Sequence, residues 1–489
     1  MPGPGSEAGS RVVLSPACSL LSVEIATRNP SVGIRRPLGD LPMSNERPCL
    51  WMVTGAARQP LPMNPERSAD LGLPGTPWHP SRLQWALLAL ALVLRLACCV
   101  YVLRQDPFGG EDGQEYYAYA GNLMHGLGDE YSPRLMNFVR APFYSIFLIP
   151  FRALTNALWP IVVSQAFLGC LLCLILARLA SNWAGRRTGD LCFLISVFNP
   201  FLIYPCGFVL SELVFMTLAW LGMACLFRLA DPSERDPIRW VTWAGVWWAL
   251  AGLTRGALLG FLPAAALWLG AVTWSRAGLR VAIIRMALLT AVSSAILLPW
   301  MIGSYITAGE FTVAPRQAAM IAAISNSPEF LESYKVETKE EYYALQMGAI
   351  QRMARPPAHL QLDHWRTELR KFRDGQRALW LRLQAYKAVH FWTPWLSPVY
   401  TPLPQVAMSV VWNVPIFALG LLGLLLGPRD AFTWLLVALC LVSFLVHFWL
   451  QVSVRYRYPT VDVTLMLLSA RTLVRLGFPW LRRESVTQP

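Results

Sequence analysis

Charge is scarce in this chain. Only 15% of its residues are charged, against about 25% in ordinary soluble domains. With 55% hydrophobic residues and a mean hydropathy of +0.41, that shortage excludes an ordinary soluble domain. Acids are scarcer than bases, 29 against 42, which leaves a net charge of +13. Beyond the short Arg455-Tyr456-Arg457-Tyr458 run, no patch interleaves the basic residues with aromatics, so the excess does not point to nucleic acid. Among repeated apolar runs it points instead to cytoplasmic loops. A disulfide framework is missing as well. Most of the ten cysteines, Cys98, Cys99, Cys170, Cys173, Cys192, Cys225 and Cys440 among them, lie in apolar runs and read as small buried hydrophobes. Cys170-x-x-Cys173 resembles half a metal knuckle, but no His or Cys partner lies near it. Leu20–Ile25 is too short for the apolar centre of a secretory signal. There is no internal repeat, and the paired half-helices that mark many transporters are not evident.

What is present is a series of apolar runs, and they predict an all-α polytopic membrane protein. Spans are expected near 83–103, 158–183, 189–206, 209–229, 238–254, 256–275, 282–303, 404–427, 431–452 and 458–478. Most have the roughly 20 residues a bilayer requires, in a bundle of about 10–12 helices. The run 142–157 reads either as a short extra span or as a helix lying at the interface. With it outside the bilayer, Arg186, Arg187, Arg228, Arg235, Arg239, Arg276, Arg280 and Arg429 share one side. Arg67 and Arg82 in the tail, and Arg482 and Arg483 at the end, fall there too. The positive-inside rule makes that side cytoplasmic, with both termini inside. Twenty-one tryptophans suit interfacial belts.

Four regions follow. Residues 1–81, rich in Pro, Gly, Ser and Arg, read as a disordered cytoplasmic tail. Met43, Met52 and Met63 all precede the first span, so translation is expected to be able to start later than Met1. Residues 82–303 form a first transmembrane module with an outer loop at 104–157. Residues 304–403 form a second outer loop, too long to be structureless, with amphipathic helices expected over Thr338–Met353 and His359–His390. Residues 404–489 form the last module. On the outer face then lie 104–157, Pro205–Leu210, Thr254–Gly256, 304–403 and Ser453–Tyr458.

The chemistry-bearing residues gather in those outer segments. Glu111 and Asp112 sit just beyond the first span, and Tyr116 and Ala120 share a helical face with Asp112. Asp112 with Glu115 three residues on fits a capping box. It also fits a general base, with Gly109, Gly110 and Gly113 letting backbone approach a substrate. Asp129 and Glu130 read as a solvated loop or as part of an acidic cluster for a divalent cation, with Asp112 and Asp129 the candidate ligands. Glu212 either suits the positive end of a helix or lines a cavity. Arg255 on the outer side either snorkels to headgroups or meets a ligand phosphate. Arg455 and Arg457, with Asp462 one turn inside, repeat that situation, and Arg140 is a fourth outer arginine. Taken together they predict an anion site.

These residues resemble a family. Asp112-x3-Tyr116-x3-Ala120, Gly126-x-Gly128 and Arg140-x-Pro142-x-Tyr144 look like the first outer loop of membrane glycosyltransferases of the GT-C fold. The bacterial branch related to protein O-mannosyltransferases and the aminoarabinose transferase of lipid A is the most similar set. The likeness runs through Asn199-Pro200 with Tyr204, Ser211-Glu212, Leu253-Thr254-Arg255, Pro299-Trp300 leading to Gly309, and Arg455-Tyr456-Arg457-x-Pro459. It departs at Gly256, where the family often has Pro, and at Glu111-Asp112-Gly113, which is not a pair of acids around one residue. The resemblance implies a GT-C-type bundle in a bacterial inner membrane, with its active site outside the cytoplasm. It implies inverting transfer of a sugar from a polyprenyl phosphate to a glycan, lipid or protein acceptor. Asp112, or next to it Glu111, would be the base; Arg255 with Arg455 or Arg457, and Arg140, would hold the donor phosphate. Tyr116, Tyr144 and Glu212 would line the cavity. A transporter of lipid-linked sugar and a non-catalytic lipid-binding partner are the rival readings. The first would need charges along a path through the bilayer, where only Arg95, Arg178 and His447 are scattered.

Overall fold

The computed structural model describes residues 80–125, 140–231, 234–308, 311, 313, 317–354 and 361–477. The tail 1–79, Gly126, Gly128, Asp129, Glu130, Gly309, Arg482 and Arg483 lie outside the described residues, as does the side chain of Glu111. The described residues form helices and turns, with no strand among them.

The first crossing is α1 (Arg82–Leu103), opened by a capping box between Ser81 and Gln84. After it come α2 (Glu111–His125) and α3 (Phe143–Leu154), packed on each other. α3 has 12 residues, about 18 Å of helix against a core of about 30 Å, so it does not cross. α4 (Trp159–Ala184) crosses back and runs through the centre of the bundle.

The expected span 189–206 is broken. α5 (Arg186–Phe198) gives way to α6 (Pro200–Ile203) and a 3-10 turn ending at Gly207, with a bend of 68°. Pro200 has no N–H to continue the ladder, and the Asn199 side chain accepts from the Phe201 N–H to start a new turn. Arg95 of α1 donates to the Ser196 and Val197 carbonyls freed at the break.

α7 (Glu212–Leu229) is apolar on all sides and largely buried, as a central helix must be. It packs on α8 (Pro237–Thr254), where Gly222 leaves room for Trp248. A 3-10 turn, Gly256–Gly260, leads into α9 (Phe261–Ala277), and α10 (Leu279–Ala308) covers α8 and α9.

Residues 317–354 and 361–392 form a separate outer cluster, beyond the end of the bundle, of α11 (Gln317–Ile324), α12 (Pro328–Ser333), α13 (Lys339–Ala354), α14 (Gln361–Gly375) and α15 (Arg377–Trp392). Met320, Phe330, Leu331, Met353, Trp365, Phe372 and Leu383 are its core. The second expected amphipathic helix is interrupted at Gly375–Gln376, where the backbone turns. α16 (Leu403–Leu426), α17 (Ala431–Trp449), α18 (Val454–Arg457) and α19 (Val463–Arg475) complete the chain, with a π turn at Tyr458–Asp462.

Among the described residues, seven helices are long and apolar enough to cross a membrane, eight if the bent pair counts as one. The chain is therefore an all-α, multi-pass membrane protein. Of the ten spans expected, 189–206 is broken at Asn199–Pro200 and 458–478 at the π turn by Pro459, two places where proline removes a ladder donor, and 238–254, the 18-residue α8, is not among the helices long and apolar enough to cross.

Candidate functional site

Alternating helix direction brings distant segments to one end of the bundle. α2 starts there, α7 starts there, α8 and α17 end there, and α18 follows at once. Between them lies a cavity of about 550 Å³, lined by Asp112, Tyr116 and Arg140, by Ser211, Thr254 and Arg255, and by His447, Arg455 and Tyr456 among others. Ala318 and Ile321 of α11 close one wall, so the outer cluster forms part of the site.

The turn into α2 explains its glycines. Gly109 and Gly110 have φ of 59° and 96°, a left-handed region that favours glycine. The Asp106 carboxylate accepts from the Phe108 and Gly110 N–H groups. A Cβ on Gly113 would lie 2.2 Å from the Phe108 carbonyl oxygen. These glycines shape the entry of α2, where a role in close substrate approach was expected.

Asp112 and Glu115 do not act as a capping box; they turn to guanidinium groups. Arg140 donates to Asp112 Oδ1 at 2.6 Å and, through Nε, to Glu115. Its Cζ lies 5.0 Å from the Tyr116 ring centroid. The other Asp112 oxygen, Oδ2, pairs with Arg455 at 2.8 Å. Arg455 Nε donates to Glu212, and Arg255 stands 2.9 Å from that same Glu212 oxygen. One chain of charges thus runs Glu115, Arg140, Asp112, Arg455, Glu212, Arg255. Burial alone would push the Asp112 carboxyl up; Arg140 and Arg455 outweigh it and hold it down at about 2.

The arginines differ in how they are engaged. Arg455 and Arg140 are shared between carboxylates. Arg255 lies 5.1 Å over the Tyr456 ring, and its buried Nη1 makes no hydrogen bond of regular geometry. Glu212 sits in the first turn of α7, where it suits the helix end; it does not line the cavity, as was expected, but holds Arg255 and Arg455 from behind the wall. Its Oε2 is also unpaired.

Arg457 does not join this group. It is 1% exposed and grips Asp462 with Nε at 2.7 Å and Nη2 at 3.0 Å. Its Nη1 donates to the Phe391 and Thr393 carbonyls. Two residues from Arg455 on one short helix, its side chain leaves on another face. Tyr144 is also withdrawn: it is fully buried, and its hydroxyl donates to Gln165 Oε1 at 3.0 Å. Its ring meets that of Tyr116 edge-on at 5.0 Å, so it supports the cavity-lining tyrosine from behind. Sequence reasoning gave no site role to Glu115, Ser211, Tyr456 and His447. Tyr456 sits between two arginines in the sequence, and its ring stacks on His447 at 5.6 Å; that alternation was the available signal.

Among the described residues no three His, Cys, Asp or Glu side chains come together as a metal-ligand set. Both oxygens of Asp112 face guanidinium groups, which does not suit a cation there, and Asp129 lies outside the described residues.

No family model matches the chain, and no curated protein sequence does. Solved structures do. The oligosaccharyltransferase AglB from Archaeoglobus fulgidus, in complex with an inhibitory peptide and a dolichol-phosphate, is similar over 81% of this chain and 50% of its own, at 14% identity and a TM-score of 0.46. An Archaeoglobus fulgidus oligosaccharyltransferase in the apo form matches over 82% of this chain and 51% of its own, at 16% identity and a TM-score of 0.47. The chain therefore spans about half the length of these structures. ArnT from Cupriavidus metallidurans in the apo state is similar over 80% of this chain and 77% of its own, at 16% identity and a TM-score of 0.39.

Proposed function

We propose that the protein is a GT-C-type glycosyltransferase that moves a sugar from a polyprenyl phosphate to an acceptor hydroxyl outside the cytoplasm. The observation that carries this reading is the convergence of Asp112, Arg140, Arg255 and Arg455 on one cavity at the end of the bundle opposite the arginine-rich loops. Positive-inside bias supports that end lying outside and both termini within, and the family resemblance implies a bacterial inner membrane.

The arrangement suits a single inverting displacement. The acceptor oxygen attacks the anomeric carbon as the bond from that carbon to the phosphate oxygen breaks. The polyprenyl phosphate leaves with the bonding pair and needs no general acid. Asp112 takes the acceptor proton, and arginines stabilise the charge gathering on the phosphate. Arg255, whose Nη1 has no regular hydrogen bond, is the first contact for that phosphate.

Asp112, held by two arginines, is a poor base. An incoming phosphate competes for Arg455, which Asp112 shares with Glu212. Drawing Arg455 toward the phosphate removes one cation from Asp112 and raises its basicity. Donor binding thus prepares the base, and donor precedes acceptor.

The test is purified protein with a radiolabelled polyprenyl-phosphate sugar and a mixed pool of glycan, lipid and protein acceptors. Release of polyprenyl phosphate is expected. Movement of intact lipid across a vesicle membrane without cleavage would make the protein a transporter, and binding without either would make it a lipid-binding partner.

A further inference from the structure

A buried cation outside the cavity is not explained by the chemistry above. Lys387 of α15 is fully buried, and none of the described carboxylates pairs with it. Its ammonium Nζ instead faces four oxygens: Leu450 O at 3.1 Å, Asn326 Oδ1 at 3.2 Å, Ser325 O at 3.4 Å and Trp449 O at 3.5 Å. Trp449 and Leu450 close α17, where the last carbonyls lack helical partners and the helix dipole is negative. Neighbours complete the same cap. Asn326 Nδ2 donates to Trp449 O at 2.9 Å, Ser325 Oγ donates to Leu450 O, and Gln384 Nε2 donates to Asn326 Oδ1 at 3.1 Å.

A second fastening runs the opposite way. Arg457, just past the site, donates to the Phe391 and Thr393 carbonyls at the end of α15, both at 2.6 Å. Lys387 thus reaches from the outer cluster to residues 449–450, and Arg457 reaches from the membrane module to residues 391–393. The segment held between these anchors, 451–456, carries Arg455 and Tyr456. Trp449, Leu450 and Gln451 also line the cavity.

Burying an ammonium without a counter-ion is costly, and an apolar side chain would fill the same space at less cost. We propose that Lys387 is a positioning residue that fixes the 449–456 segment, so that Arg455 reaches between Asp112 and Glu212 and the outer helical cluster is fastened to the donor phosphate site. The consequence for catalysis rests on the glycosyltransferase reading; the mechanical part does not.

The experiment compares full-length wild-type protein with Lys387→Met and Lys387→Arg. Hydrogen exchange of peptides covering 446–457 reads the fastening directly. In Lys387→Met their exchange should accelerate about ten- to hundredfold, while peptides from α4, α7 and α13 keep their protection. In the transfer assay the donor KM should rise about tenfold or more with the acceptor KM unchanged, and Lys387→Arg should recover part of both effects. Unchanged protection over 446–457 in Lys387→Met would overturn the proposal, as would equal rises in both KM values. If the wild type transfers no sugar, the glycosyltransferase reading fails, and the exchange result alone decides the role of Lys387. If Lys387→Met does not fold, Gln384→Leu removes only the support of Asn326. It should speed exchange of the same peptides to a smaller degree, and no change there would overturn the proposal.

Discussion

Asp112 is 30% exposed and Arg455 34%, so both can reach a ligand while still holding each other. Asp112→Asn should leave the protein folded, because Arg140 keeps Glu115 and Arg455 keeps Glu212. Release of polyprenyl phosphate should fall by about a hundredfold or more, and wild-type turnover in that variant would remove Asp112 from the mechanism. The pH sign follows from its carboxyl, which lies at about 2 in the fold against 3.8 ordinarily. A carboxyl lowered on folding stabilises above its unfolded value, and that contribution is lost as pH falls through the folded value. The difference in thermal stability between wild type and Asp112→Asn should therefore hold steady down to about pH 4 and shrink between about 4 and 2.

Arg255 and Arg457 separate a ligand role from a structural one. Arg255→Ala should raise the donor KM about tenfold or more, as loss of a charge-assisted contact does, and leave the acceptor KM in place. Equal changes in both, measured over each substrate, would count against the phosphate contact. Arg457→Ala strands Asp462 in the interior, 3% exposed. Removing one partner of such a pair costs about 3–5 kcal/mol. The expected result is loss of folded protein on size-exclusion chromatography, and normal yield with weaker donor binding would reverse the assignment.

At the scale of elements, the entry to α2 controls where Asp112 points. Gly113→Ala would press a methyl group against the Phe108 backbone, which cannot rotate away as a side chain can. Overpacking of this kind costs about 1–3 kcal/mol. It should lower turnover by displacing Asp112 while leaving α4 and α7 intact, as checked by exchange protection of those helices. The broken span at Asn199–Pro200 and the π turn at Tyr458–Asp462 carry a related lesson. Apolar runs announce a crossing, but the freed carbonyls at a break need donors from other helices. Arg95 supplies them at one break, and the Trp220 indole donates to Pro459 O at 3.0 Å at the other.

For the whole molecule, two cores meet at the cavity. One fills the transmembrane bundle from Cys99 to Ala470, and the other fills the outer cluster. Trp365, 2% exposed, donates its indole N–H to the Met353 carbonyl at 2.8 Å. Trp365→Ala should cost about 3–5 kcal/mol within the outer core. Exchange protection should drop across 317–392 and persist in α4 and α7, whereas a uniform loss would mean one cooperative unit. At the far end of the bundle Asp430 accepts from the Trp183 indole and pairs with Arg471 at 2.9 Å. That cluster ties the ends of α4 and α19 to the start of α17 on the side carrying the arginine-rich loops.

The sequence by itself determined the class of protein, the helices, the side of the bundle on which the polar segments gather, and the identity of Asp112, Arg140, Arg255 and Arg455 as residues worth watching. Those properties follow from hydropathy, run length and charge bias, which are local. Only the tertiary structure decided which of them meet. Arg455 and Arg457 are two residues apart and look alike in the sequence, yet one bridges Asp112 and Glu212 and the other is consumed by Asp462 and two carbonyls. The local signal at Glu115 pointed to a capping box and Lys387 had none, because their roles depend on groups 25 and about 60 positions away in the chain. A side chain's charge is written in the sequence, but its partner is chosen by packing, through the free energy of leaving water.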